Sequence, residues 1–224
     1  MKLNRKLVKR SPYRRDVYLA KLIDGARRTQ TDGYPIIEKW MVAEKPPKEM
    51  VQWNQRKFCN TISETALSFY SEDSTFNCVL SNPERYVDLC RQYACIIGMD
   101  ASPYDNMPLV VQKSQIYLDL AITYFYGRKG IKVIPNVRLG DMRTLGSLEA
   151  YPKGVLISIG TNGFVKALSN RHIFTEEVER IVKILQPTGI LVYGPTPDWL
   201  FSGVLKNNIP IYQYDSYMKR RKCR

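Results

Sequence analysis

The feature that most limits what this chain can fold into is its alternation. Short, continuously apolar segments end in polar or glycine-rich sequence, and helical stretches separate them. Residues 76–80 form the first such run. Ser81-Asn82-Pro83-Glu84 then reads as a helix start with proline at the first helical position, and Tyr86, Leu89, Cys90 and Tyr93 follow at helical spacing. Residues 94–99 read as a strand ending at Asp100, and 101–107 as a loop. Pro108 opens a long amphipathic helix to about Tyr126, closed by Gly127 and Gly130. Residues 131–135 are the next strand, followed by a polar stretch to Tyr151 with room for one helical turn. Residues 155–159 are a strand ending at Gly160-Thr161-Asn162-Gly163. Thr175 reads as the cap of a helix to about Leu185, with Glu176 and Glu177 at its electropositive start. Residues 190–193 are a strand ending at Gly194-Pro195-Thr196-Pro197. Asp198 caps a short helix to about Leu205, and 209–214 are the last strand.

Strands that are apolar throughout are buried on both faces, which is the mark of a parallel sheet covered by helices. With five or six such strands after residue 76, the expected fold class is α/β: a mainly parallel sheet with alternating helices, curled into a partial or irregular β/α barrel. An open doubly wound sheet is the alternative. The first 75 residues are less patterned. Residues 17–23 carry a partial apolar face that ends near Gly25, and Asp32-Gly33-Tyr34-Pro35 is a turn. Residues 36–42 suit a short strand or a packing segment, 45–48 form a loop, and 49–70 have no clear period. The expected organisation is a basic arm and packing segment over 1–75, an α/β core over 76–218 and a basic tail over 219–224.

Charge is distributed unevenly. The formal net charge is +13. Residues 1–28 hold ten basic side chains against Asp16 and Asp24, and 219–224 hold five with no acid, so residues 29–218 are neutral. Terminal basic blocks most often contact polyanions. The candidate nucleic-acid contacts are Lys2, Arg5, Lys6, Lys9, Arg10, Arg14 and Arg15 at one end and Lys219, Arg220, Arg221 and Lys222 at the other. Such arms grip phosphate without reading sequence.

The five cysteines, Cys59, Cys78, Cys90, Cys95 and Cys223, are odd in number and follow no disulfide or zinc spacing; His172 is the only histidine. Reduced thiols in a cytoplasmic protein are expected. No signal peptide is expected, since no apolar run follows the basic start, and no stretch approaches about 20 apolar residues. Fifteen tyrosines against seven phenylalanines suit half-buried platforms or an interface.

In parallel α/β folds, ligands sit beyond the carboxyl ends of the strands. That rule selects Asp100, Ser102 and Asp105; Asn136, Arg138 and Asp141; Thr161, Asn162 and Gly163; Tyr193 and Thr196; and Tyr214 and Asp215. Asn136, Arg138, Asp141, Thr161, Asn162, Gly163 and Tyr193 are the candidate ligand-binding residues. Asp100, Asp141 and Arg138 are the candidates for catalysis, since carboxylates could hold a divalent cation and an arginine a phosphate. The same residue types also serve as ordinary turn and cap residues. No P-loop, nucleophile elbow, zinc-protease motif or dinucleotide fingerprint is present.

Three blocks carry a resemblance. Ile131–Asp141 reads Ile-Lys-Val-Ile-Pro-Asn-Val-Arg-Leu-Gly-Asp, 155–163 is a strand ending Gly-Thr-Asn-Gly, and 185–194 is Leu-Gln-Pro followed by a strand ending Tyr-Gly. Over about residues 75–215 the chain resembles an uncharacterised domain-of-unknown-function family of bacteria, phages and mobile elements, whose hallmark is Pro-Asn-hydrophobic-Arg-Trp-Gly-Asp. Leu139 stands where that family usually has tryptophan, and Asn162 where it often has histidine. Asparagine cannot titrate, so the resemblance supports binding at this position and not acid–base chemistry. It implies a phage or mobile-element setting, the host cytoplasm as location, and no particular reaction. Three functions follow: a nucleic-acid-associated accessory protein with a ligand or phosphate site at the strand edge, a metal-assisted phosphoesterase or nucleotide-processing enzyme, or an interaction module that inhibits a host protein.

Overall fold

The computed structural model describes residues 16, 18–162 and 171–215. Its strands are β1 (Glu49–Gln52), β2 (Thr65–Ser68), β3 (Cys95–Ile97), β4 (Val133–Ile134), β5 (Leu156–Gly160), β6 (Gly189–Tyr193) and β7 (Ile211–Tyr214). Its α-helices are α1 (Asp73–Ser81), α2 (Val87–Cys90), α3 (Leu109–Arg128), α4 (Arg171–Leu185) and α5 (Asp198–Lys206). Short 3₁₀ turns fill several connections, the longest being Met142–Ala150.

Spatial order follows chain order. One sheet runs β1-β2-β3-β4 and the other β5-β6-β7, and every pairing is parallel. A parallel bridge between Asn136 and Ser158 joins the two. There the Ser158 N–H donates to the Pro135 carbonyl (2.8 Å) and the Val137 N–H to that of Ser158 (2.9 Å). Below that point Val42 pairs with Val133, and the Ala43 N–H donates to the Val133 carbonyl, so residues 42–43 wedge β4 and β5 apart. Sequential parallel strands are the arrangement of a β/α barrel. Here the curl is incomplete: β7 and β1 share no ladder, and their end is linked by the Tyr214 hydroxyl donating to the Pro47 carbonyl (2.6 Å).

The pleat sorts the core into two layers. One residue set (Met50, Ala66, Cys95, Ile97, Ile134, Leu156, Leu191 and Tyr193) packs inside the curl. The alternate set, with Val51, Leu67, Ile96, Val133, Ile157 and Val192, packs outward against the helices. This is the period-2 alternation of a sheet covered on both faces.

Several local expectations change. Residues 76–80 lie in α1, not in a strand: Phe76 and Val79 are three apart and bury together on one helical face. Residues 49–70 hold β1 and β2, and 36–42 hold a 3₁₀ turn at Lys39–Met41. Helix α4 begins at Arg171 rather than Thr175, because Phe174 extends the buried stripe of Val178, Ile181, Val182 and Leu185 by one turn. Thr175 therefore sits inside the helix, its hydroxyl donating to the Arg171 carbonyl (2.9 Å), and His172 is helical and exposed. Asp16 accepts the Ala20 and Lys21 N–H groups, Leu19, Leu22 and Ile23 are buried, and Lys21 and Arg27 pair with Glu84 and Glu38. Asp16 and residues 19–27 are thus docked on the body. The candidate nucleic-acid contacts at both termini, like Gly163, lie outside the described residues. The four described cysteines are free thiols, and among the described residues no helix is long and apolar enough to cross a membrane.

Candidate functional site

At the carboxyl end of the strands the interior of the curl turns polar. Residues that continue the inward pleat of β4 and β5 are Asn136, Arg138 and Ser158. Asn136 Nδ2 donates to the Met99 carbonyl and to Asp100 Oδ1, both at 2.9 Å. Arg138 Nη1 donates to the same Asp100 oxygen at 3.0 Å, with only 11% and 12% of the two side chains exposed. The Tyr70 hydroxyl donates to Asn136 Oδ1 (2.9 Å) and lies 2.7 Å from Ser158 Oγ, and its ring stacks on Tyr193 at 4.9 Å. Gly160 makes room for that ring, since a Cβ there would come within 2.8 Å of Tyr70 Cε1.

Burial and charge oppose each other throughout this layer. Burial pushes the Asp100 carboxyl up, and Arg138 and Asn136 pull it back only in part. Burial also works against the Arg138 cation, but Asp100 and Glu177 more than offset it. Asp119 accepts the Ala101 N–H (3.0 Å); burial, with the Asp100 charge behind it, holds its carboxyl well above the usual range. Asp73, on α1, is raised by burial and by Asp100.

Above this layer opens a cleft of about 780 Å³. Asp100 and Arg138 form its floor, and Glu177 reaches in from α4. Glu177 Oε1 accepts the Leu139 N–H (3.1 Å), and burial pushes this carboxyl up to about 7 despite the Arg138 charge and that hydrogen bond. Asp141 lines one side. It accepts the Arg143 N–H and is clasped by the Arg143 guanidinium at 2.6 Å, and Gln112 donates to its Oδ2 at 2.9 Å. The Arg143 hydrogen bonds hold the Asp141 carboxyl well below the usual range. Gly140 leaves the space that Gln112 fills: a Cβ there would run into Gln112 Oε1. The mouth is apolar, with Tyr104, Met142 and Ile173 at 54%, 40% and 49% exposure.

The structure thus brings Asp100, Arg138, Asp141 and Asn162 to one cleft, together with Ser102 and Asp105. Asn136 sits beneath Asp100, as a support of the floor. Thr161 is buried, its hydroxyl donating to the Pro195 carbonyl (2.7 Å), and Tyr193 is buried under Tyr70; neither lines the cleft. Asp141 is tied to Arg143 and Gln112 rather than to Asp100, and Asp215 is exposed at the end of β7. Among the described residues no three carboxylate, histidine or cysteine groups are placed to share a metal ion. Glu177, Tyr70, Asp119 and Gln112 are participants that the sequence reading missed. Glu177 reads there as a first-turn acid of a helix starting at Thr175; only the tertiary packing of α4 brings it to the Leu139 N–H.

No solved structure matches the chain. It is similar to the Gene 1 protein of Mycobacterium phage L5, 24% identical over 151 residues that span 66% of each chain. It is also similar to the Gene 1 protein of Mycobacterium phage D29, 23% identical over 152 residues, 66% of this chain and 56% of that one. The chain therefore matches just under two thirds of one relative's length and little more than half of the other's. Residues 30–215 match the family model described as domain of unknown function DUF4417. That span takes in all seven strands and every wall of the cleft, and the chain belongs to this family.

Proposed function

We propose that this phage-related protein is an accessory factor whose strand-edge cleft binds a small organic ligand. The observation that carries the reading is the cleft itself: about 780 Å³, with a satisfied, buried polar floor and an apolar mouth. Ligand sites are commonly of this size and composition, and the carboxyl edge of a parallel sheet is where they form. The charge at the site argues against a phosphate ligand. Asp100, Asp105, Asp141, Glu176 and Glu177 line the cleft against Arg138 and Arg143, and both arginines are engaged by carboxylates. A phosphoesterase reading is weakened for the same reason and by the engagement of Asp141. The test is a fragment screen by protein-observed NMR on the full chain. Hits should shift the signals of residues 100–105, 138–143 and 173–177, and Ile173→Trp, which fills the mouth, should abolish them. Hits that map elsewhere and survive Ile173→Trp sink the reading.

A second reading concerns the termini. Residues 1–15 and 219–224 carry twelve basic side chains and no acid, nearly the whole net charge. We propose that they hold nucleic acid, independently of the cleft. Deleting both segments should lower affinity for DNA or RNA at least tenfold and flatten its salt dependence. Equal binding by the shortened chain removes this proposal and leaves the cleft untouched.

A further inference from the structure

We infer that the ligand of the cleft is an organic cation, an amine or amidine on an apolar body, whose N–H groups donate to Glu177 while its body lies among Tyr104, Met142 and Ile173. This rests on the cleft being a ligand site, as proposed above, and adds the chemical class.

Glu177 carries the inference. One of its oxygens is held by the Leu139 N–H. The other, Oε2, accepts no hydrogen bond among the described residues, in a side chain that lines the cleft. That oxygen is open to the cleft, so a donor on a bound ligand can reach it directly. The surroundings select a positive donor over a neutral or negative one. Asp100 lies on the floor beside Arg138, Asp105 adds negative charge at a wall, and Glu176 is paired with Arg180 at 2.7 Å. Arg138 is engaged by Asp100, Arg143 by Asp141 and Arg180 by Glu176, so the described residues around the cleft offer an anion no unengaged cation. The exposed Tyr104, Met142 and Ile173 at one opening supply an apolar seat, and the Tyr104 ring can face a cation. A carboxyl pushed up to about 7 by burial adds a coupling: a cation placed beside it favours the ionised form, so binding near neutral pH releases a proton.

Isothermal titration of the full chain at pH 8 with three probes sharing one ring separates the possibilities: benzamidine (cationic), benzyl alcohol (neutral) and benzoate (anionic). Benzamidine should bind at least tenfold more tightly than the other two. Glu177→Gln should remove that preference and leave benzyl alcohol unchanged. Ile173→Arg, at an exposed position and safe for folding, should weaken benzamidine at least fivefold by charge repulsion. At pH 7, titrations in buffers of different ionisation enthalpy should report proton release with benzamidine alone. Equal binding of benzamidine and benzyl alcohol, unmoved by both substitutions, overturns the cation and spares the cleft. Tighter binding of benzoate does the same. No binding of any probe at millimolar concentration overturns both readings.

Discussion

Toward the amino ends of the strands, the inside of the curled sheet is lined by Met50, Ala66, Cys95, Ile134, Leu156 and Leu191, all buried and apolar. Two to four residues further along the chain it is lined by Tyr70, Asn136, Ser158 and Arg138, with Asp100 bonded to two of them. The backbone ladder is shared, but the two depths differ in what holds them. The apolar depth is stabilised by area removed from water and is tolerant of shape-conserving change. The polar depth stays folded only because each group has a partner, and a missing member strands the others. Proteins place such layers where an interior meets a ligand-sized opening, and here the polar depth is the floor of the cleft.

The largest expected effect comes from breaking the polar depth at its hub. Asp100→Ala leaves the Arg138 cation and the Asn136 amide without their carboxylate, and should cost about 3–5 kcal/mol in denaturant unfolding. Asp100→Asn keeps an acceptor and should cost distinctly less. An alanine variant within about 1 kcal/mol of the parent would show that the layer is not a network. In the apolar depth, Leu191→Ala should cost about 3 kcal/mol by cavity formation and leave the pH profile of stability unchanged.

The third effect sits at the boundary. Folding raises the Glu177 carboxyl from 4.5 to about 7. The folded state therefore binds more protons in that window. The stability this group contributes is present below pH 4.5 and is lost as pH rises through about 7. Arg138, Asp100, Glu176 and the Asp141–Arg143 pair face the same cleft, but a Glu177→Gln variant isolates the one group. Its stability relative to the parent should improve by roughly 2 kcal/mol between those two pH values. A flat difference would mean that Glu177 is solvated in the folded state. The smallest effect is Tyr70→Phe, which keeps the stack on Tyr193 and removes one hydroxyl shared by Asn136 and Ser158. It should cost about 1–2 kcal/mol, visible as a lower denaturation midpoint with an unchanged slope.

The parallel, helix-separated order of β3 through β7 was legible in the residues themselves, because runs such as Ile190 to Tyr193 have no polar position to show to water. So were the places where those strands end, and with them Asp100, Asn136 and Arg138. Local pattern failed where neighbours decide. β1 and β2 contain Glu49, Gln52, Thr65 and Ser68, and they are strands because β2 pairs on the edge of β3 and β1 on the edge of β2. Residues 76–80 have the composition of a strand, but the spacing of Phe76 and Val79 buries them on one face of a helix. The break between β4 and β5 comes from residues 42–43 occupying the lower edge of β4, a contact across some ninety positions that no window of sequence contains. Glu177 is the sharpest case. Its identity is local, but its proton affinity depends on the depth at which α4 seats it, on Arg138 from one strand end and on the Leu139 N–H beside it. The alternation of apolar and polar residues determined which side chains face inward and where the strands stop. Only the tertiary structure decided which polar groups meet, because desolvation and pairing are properties of neighbours brought together across the chain.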